Sequence, residues 1–361
     1  MAKDLQIKNV FIENVNGDKI LRPILDEKFY EILDNTSIRE GTYFITGATG
    51  FIGSYITLSL LYLCECKALN IKVIIAVRNM DKAEKIYKDY VDKDYFEIVI
   101  HNMTDEYVIS EKIDYIIHAA GVYMSLDKPY DLFTDNVISV KNILMLANTK
   151  RVRKILLIST ASVYGDLLYD GLTDENRLGG NNSMKADLSY SESKRASEYM
   201  FAAGLKQFSL CGNVIRLFSV YGLGMNTAAN SVFSDLLRQA ISQNVITIKG
   251  TGKGIRNFSY ISDVIYGIFT VLYSGDNGQA YNVGSKNANC SILDLALMLR
   301  KKINKDIKVI VNGDNIQGDD RETIQAPSFE LIGSLAEQPA TSLEDGLDRM
   351  LLYIKAEYEL E

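Results

Sequence analysis

Tyr190 and Lys194 stand four residues apart in Tyr190-Ser191-Glu192-Ser193-Lys194. On a helix that spacing puts a phenol and an ammonium on one face. A phenol is too weak an acid to work as a base near neutral pH, and an adjacent cation favours its phenolate. Such a pair can take a proton from an alcohol while a hydride leaves the same carbon. Upstream, Ser159-Thr160-Ala161-Ser162-Val163-Tyr164-Gly165 supplies hydroxyls that can hold the reacting oxygen. The chain has two histidines, His101 and His118, so a histidine-based triad is not expected. Its four cysteines are Cys64, Cys66, Cys211 and Cys290. Cys64 and Cys66 read as two positions of a helix, because no other Cys or His cluster joins them, and no metal site is expected.

The run Thr46-Gly47-Ala48-Thr49-Gly50-Phe51-Ile52-Gly53 acts through missing side chains. Its glycines let the backbone turn, approach a pyrophosphate and pack the following helix against the preceding strand. The helix start then offers free N–H groups and partial positive charge to the phosphates. A dinucleotide is the expected ligand. The residue closing the next strand selects its form. An acidic side chain there accepts from the adenosine ribose 2′-OH, but this sequence has Val77-Arg78-Asn79. A guanidinium suits a 2′-phosphate, so NADP is favoured over NAD.

Regular elements must hold these groups. Residues 42–46, 71–77, 95–100, 115–118, 154–159 and 213–218 read as strands, and 54–63, 81–91, 136–148 and 191–205 as helices. Strands alternating with helices predict a parallel sheet covered on both faces. The strand ends then bring Thr160 to the carboxyl edge, where open α/β sheets bind ligands. The alternation weakens after Gly222, and residues 281–284 read as one more strand before a helical C-terminal section. The expected fold class is α/β, a Rossmann-type doubly wound parallel sheet with a smaller mixed α/β C-terminal substrate domain. Residues 41–222 with 255–285 form the first domain in this reading, and 223–254 with 286–361 the second. Residues 1–40 are an extension of unreadable role, with a short helix over 24–33.

The formal charge of −7 argues against a nucleic-acid partner, which needs a basic surface. The first residues lack the pattern of a signal peptide, no apolar run approaches a membrane span, and the cysteines suit a reduced setting. The expected location is cytoplasmic, without a membrane partner.

On these motifs the chain resembles the extended short-chain dehydrogenases, which include nucleotide-sugar epimerases, dehydratases and decarboxylases. The likeness covers residues 41–355. It implies cofactor contacts from Gly47, Thr49, Gly50, Phe51, Ile52 and Gly53, from Arg78 and Asn79, and from Asn102 and Met103 near the adenine. His118-Ala119-Ala120-Gly121 resembles the family's loop after the fourth strand, so Ala119, Ala120 and Gly121 line the nicotinamide ribose and phosphates. Asn136 matches the helix asparagine near the cofactor, and Phe218 the aromatic beside the nicotinamide. The catalytic set falls on Thr160, Tyr190 and Lys194, the last two also touching the cofactor. Tyr123, Ser162, Ser219 and Arg256 are the implied substrate contacts, with Arg256 gripping the pyrophosphate of a nucleotide-sugar. A homodimer and a place in cell-surface polysaccharide biosynthesis are further expectations of this kind.

The departures from the family pattern narrow the reaction. Dehydratases and the decarboxylase resemble one another in an acidic residue just after the threonine, whereas Ala161-Ser162 follow Thr160 here. Asn102 replaces an adenine-binding Asp, Ser219 a substrate-binding Asn, Leu223 a Pro, and Ser328 a C-terminal Asp. The expected activity is 4-epimerisation of a nucleotide-sugar by transient hydride transfer at carbon 4. The alternative is an NADPH-dependent 4-keto-sugar reductase, with dehydratase or decarboxylase chemistry behind it and a non-catalytic dinucleotide-binding regulator last.

Overall fold

The structure, a computed structural model, describes residues 11–13, 19–21, 27–34, 36, 38–123, 127–165, 171–226, 231–313 and 324–358. A seven-stranded parallel sheet forms its centre. Its strands are β1 (Gly41–Thr46), β2 (Ile71–Val77), β3 (Phe96–Ile100), β4 (Tyr115–His118), β5 (Lys154–Thr160), β6 (Gly212–Leu217) and β7 (Ala280–Val283), in spatial order β7-β6-β5-β4-β1-β2-β3. The order reverses between β1 and β4, so the crevice outside their carboxyl ends is the natural ligand position. The middle residues of these strands are consecutive apolar side chains, Tyr-Phe-Ile in β1, Val-Ile-Ile-Ala-Val in β2 and Ile-Leu-Leu-Ile in β5, rather than alternating ones, because both faces are covered.

The period-two geometry of a strand divides the core. Tyr43, Ile45, Val73, Ile75, Ile117 and Leu156 face one layer of packed side chains. Phe44, Ile74, Ile116, Ile155 and Leu157 face the other. Burying a side chain of this size is worth roughly 1.5–3 kcal/mol. On the second face the helices Pro129–Lys150 and Ser189–Phe208 pack closely at Gly204, where a Cβ would lie 2.6 Å from the Leu144 side chain.

Several boundaries differ from expectation for local reasons. The first helix runs Phe51–Cys66, because Gly50 rather than a later residue caps it. The helix expected over 81–91 is Met80–Ile86, begun by Asn79 Oδ1 accepting from Lys82 N–H at 2.8 Å. It stops where Tyr87 turns inward to donate its hydroxyl to the Ala48 carbonyl at 2.6 Å. The weak pattern after Gly222 conceals helices Val232–Ser242, Ile261–Ser274 and Ile292–Ile303. It also conceals the strand Ile255–Tyr260, which joins Asn289–Ser291, Ile324–Gln325 and Ser219–Tyr221. Val245–Lys249 pairs in parallel with Lys308–Asn312. The expected N-terminal helix is Glu27–Asp34, and residues 24–26 lie outside the described residues. It belongs to the core: Phe29 and Leu33 are fully buried, and Phe29 stacks on Tyr55 at 4.9 Å.

Candidate active site

The parallel sheet delivers its strand ends to one edge. Gly47–Gly53 follows β1, Arg78 follows β2, Asn102 and Met103 follow β3, Ala119–Tyr123 follows β4, Thr160 ends β5 and Phe218 follows β6. Gly47 has φ +70°, a left-handed conformation that favours glycine, and a Cβ there would strike the Ala119–Ala120 backbone at 2.6 Å. A Cβ on Gly53 would lie 2.3 Å from the Gly47 carbonyl oxygen. The helix starting at Phe51 has no side-chain cap and no acidic residue in its first turn, leaving its N–H groups to a ligand. This cradle fits the pyrophosphate of a dinucleotide.

At the end of β2, Arg78 is exposed while Asn79 is committed to capping. Lys82 lies one turn on, and burial, then the charge of Arg78, lowers its ammonium pKa. Asn102 is exposed, and Met103 is buried with its carbonyl accepting from Asn142. Asn136 Oδ1 accepts from Val122 N–H at 2.8 Å while Nδ2 donates to Val122 O and Ser193 Oγ. It thereby locks the loop after β4 to the helix bearing Tyr190. Gly121 lies close to both groups: a Cβ there would come 3.2 Å from Asn136 Oδ1 and 4.0 Å from Lys194 Nζ.

Beneath this loop His118 is buried between Thr46 Oγ1 at 2.8 Å and Ser139 Oγ at 3.3 Å. Ser139 donates its hydrogen to Asn136 O, so it accepts from His118 Nε2–H and leaves Nδ1 to accept from Thr46. Thr46 Oγ1 in turn accepts from Ala120 N–H. Burial, with the Lys194 charge added, lowers the imidazole pKa to about 3, so His118 is neutral. The sequence placed His118 in a loop motif and did not read it as the tie between β1, β4 and the Asn136 helix.

Tyr190 meets Thr160 through a side-chain hydrogen bond, and Tyr123 packs edge-on against the Tyr190 ring at 5.2 Å. The expectation that Lys194 lowers the Tyr190 pKa is not what the structure shows. Burial, then Tyr123, raises the phenol above its ordinary value, and only the Thr160 hydrogen bond opposes them. Lys194 is buried and donates to Ile158 O at 2.8 Å. Burial lowers its ammonium pKa to about 8, against the raising influence of Glu198. Ser162 Oγ is buried without a hydrogen-bond partner, beside Thr160. Phe218 contacts Tyr164 at a 6.2 Å ring separation. Ser219 is exposed and pairs in register with Phe258, which joins the short strand Ser219–Tyr221 after β6 to the strand carrying Arg256. Arg256 stands on that separate sheet, flanked by Cys290 and Gln325.

A doubly wound sheet with a glycine cradle, a strand-end threonine and a Tyr-x-x-x-Lys helix defines the short-chain dehydrogenase class in its extended form. Residues 43–284 match the profile of the NAD dependent epimerase/dehydratase family, and the chain belongs to that family. It is 28% identical over 335 residues to UDP-glucuronic acid decarboxylase 6 of Arabidopsis thaliana, covering 91% of each chain. Among solved structures it resembles UDP-glucuronic acid 4-epimerase from Bacillus cereus in complex with NAD, with TM-score 0.73 and 24% identity over 88% of this chain and 100% of that one. It also resembles dTDP-glucose 4,6-dehydratase from Bacillus anthracis in complex with NAD, with TM-score 0.72 and 23% identity over 88% and 97% of the two chains. No helix among the described residues is long and apolar enough to cross a membrane.

Proposed function

We propose that the protein is a nucleotide-sugar 4-epimerase. The observation carrying this reading is a hydroxyl where acid-dependent chemistry needs a carboxyl. Thr160 is followed by Ala161 and by Ser162, whose Oγ is buried and unpartnered. The buried acids Glu175 and Glu198 are committed elsewhere, to Asn282 N–H and to Arg216. Dehydration and decarboxylation both use a side chain beyond the hydride machinery. Epimerisation needs only oxidation, rotation of the keto-sugar and reduction from the other face.

Gly47–Gly53, Arg78, Asn102, Ala119–Gly121 and Lys194 hold a dinucleotide, and a bound dinucleotide supplies hydride acceptor and donor chemistry. Tyr190 exchanges the proton of the sugar 4-hydroxyl. Thr160 orients that oxygen and the Tyr190 hydroxyl, Ser162 receives a sugar hydroxyl, and Arg256 pairs with the diphosphate. Residues 223–254 with 286–361 carry the nucleotide side of the substrate. The exposed apolar side chains of the two packed helices, Phe133, Ile138, Met145 and Tyr199, suit a homodimer.

A second reading is favoured by Arg78 and Lys82, two neighbouring cations at the end of β2. They suit a 2′-phosphate and therefore an NADPH-dependent 4-keto-sugar reductase. A panel of UDP-, dTDP-, CDP- and GDP-sugars, with and without added dinucleotide, separates the readings. An epimerase forms product without net change in nicotinamide absorbance, and a reductase consumes NADPH stoichiometrically. Release of carbon dioxide from UDP-glucuronate refutes both.

A further inference from the structure

Two elements carry the chemistry: β5, ending at Thr160, and the helix Ser189–Phe208, bearing Tyr190 and Lys194. Nothing covalent holds their spacing. Lys194 Nζ donates to Ile158 O at 2.8 Å, which makes one tie. The next residue of the strand makes another, as Ser159 Oγ donates to Glu198 Oε1 at 2.5 Å. Glu198 also takes a forked grip from Arg216 on the neighbouring strand β6, at 2.7 Å from Nη2 and 3.2 Å from Nε. Ser159 and Arg216 are register partners, so one carboxylate staples helix, β5 and β6 together. Its side chain is 10% exposed and that of Arg216 7%, so water screens the pair little. Arg216 continues to Tyr164 Oη and to the Glu175 carbonyl.

Glu198 follows Lys194 by four residues, so both sit on one helix face. The groups coupled to Lys194 are His118 from β4, held neutral, and Glu198, which is itself paired with Arg216, while Tyr190 lies one turn back on the same helix with Tyr123 against its ring. Among these Glu198 carries the one carboxyl group.

The geometry points to Glu198 as a positioning residue of the active site: its carboxylate fixes the strand carrying Thr160 against the catalytic helix and sets a carboxylate one turn from the buried Lys194 ammonium. The second half rests on the dinucleotide reading above, in which Lys194 donates to the nicotinamide ribose. Burial alone pushes Lys194 towards neutrality, and Glu198 opposes it, leaving a pKa of about 8. Glu198→Gln keeps the shape and an acceptor for Ser159 but deletes the charge and leaves Arg216 as an uncompensated neighbour.

The test is the dissociation constant of NAD and of NADP, measured calorimetrically between pH 6 and pH 10, which needs no knowledge of the sugar. Wild-type affinity falls as pH rises through about 8. In Glu198→Gln the midpoint moves down by about one pH unit or more, the effect of one nearby charge at partly buried range, so binding near pH 8 is about tenfold weaker. At pH 6 the two proteins agree within about twofold. Ser159→Ala retains both charges and leaves the midpoint in place. Should Glu198→Gln not fold, the double variant Glu198→Gln with Arg216→Met leaves no orphan buried charge and shifts the midpoint in the same direction by less. An unmoved midpoint, or equal loss at every pH, overturns the proposal while the dinucleotide reading stands. A wild-type protein that binds neither dinucleotide overturns both.

Discussion

Acidification should weaken the fold through one imidazole. His118 is fully enclosed, accepting from Thr46 at Nδ1 and donating to Ser139 from Nε2. A proton added at Nδ1 destroys the acceptor that Thr46 needs and places a second cation near Lys194. The folded-state pKa is accordingly about 3, against the ordinary 6.5. The unfolded chain therefore binds more protons than the folded one between these values, and unfolding free energy falls as pH falls from 6.5 towards 3. At pH 5 the chain is one and a half units below 6.5, which at about 1.4 kcal/mol per unit gives a loss of about 2 kcal/mol. Glu175 and Asp263, whose pKa values burial raises, gain stability on acidification and oppose this trend. Lys194, with its folded pKa near 8, completes its contribution above this window. Comparison with His118→Asn removes those shared terms, because the amide keeps an acceptor towards Thr46 and does not titrate. Urea unfolding followed by far-ultraviolet circular dichroism at pH 7.5 and pH 5.0 supplies the four free energies. Wild type should lose about 2 kcal/mol more than the variant over that interval. An equal loss in both refutes the assignment of a neutral, buried His118.

Four further outcomes test the site. Tyr190→Phe preserves packing against Tyr123 but removes the proton-transfer group, so turnover on the true substrate should fall about a hundred- to ten-thousand-fold while dinucleotide binding persists. Gly53→Ala puts a methyl into the Gly47 carbonyl, whereas Gly50→Ala meets the same atom at 3.1 Å. The first should lower stability by about 1–3 kcal/mol and abolish dinucleotide binding, and the second should do much less in the same melts and titrations. Arg78→Ala should weaken NADP binding by about one to two orders of magnitude and leave NAD binding nearly unchanged, with the wild-type preference for NADP reduced by salt. Arg256→Ala should weaken nucleotide-sugar binding far more than dinucleotide binding, and equal losses in paired titrations would contradict its role as a phosphate anchor.

Local pattern alone determined a large part of this protein. The apolar runs at 42–46, 71–77 and 154–159 could only be strands buried on both faces, and the glycines at 47, 50 and 53 mark a turn that side chains would obstruct. The four-residue interval between Tyr190 and Lys194 places both on one helix face whatever the rest of the chain does. These signals are short-range, so they survive in a bare sequence. The helices at 232–242, 261–274 and 292–303 were harder to read. The second of these is buried almost all round, and an evenly apolar helix shows no contrast between faces. Residues 27–34 gave no hint of belonging to the core, because Phe29 and Leu33 are buried by Tyr55 and the helix Ile261–Ser274, partners far along the chain. Tertiary structure also decided the electrostatics. Lys194 turns to the Ile158 carbonyl, Tyr190 rises in pKa through burial, His118 is neutral, and Glu198 meets Arg216 and Ser159. Each depends on how much water is excluded and which distant group lies within a few ångströms, and residue spacing along a chain encodes neither.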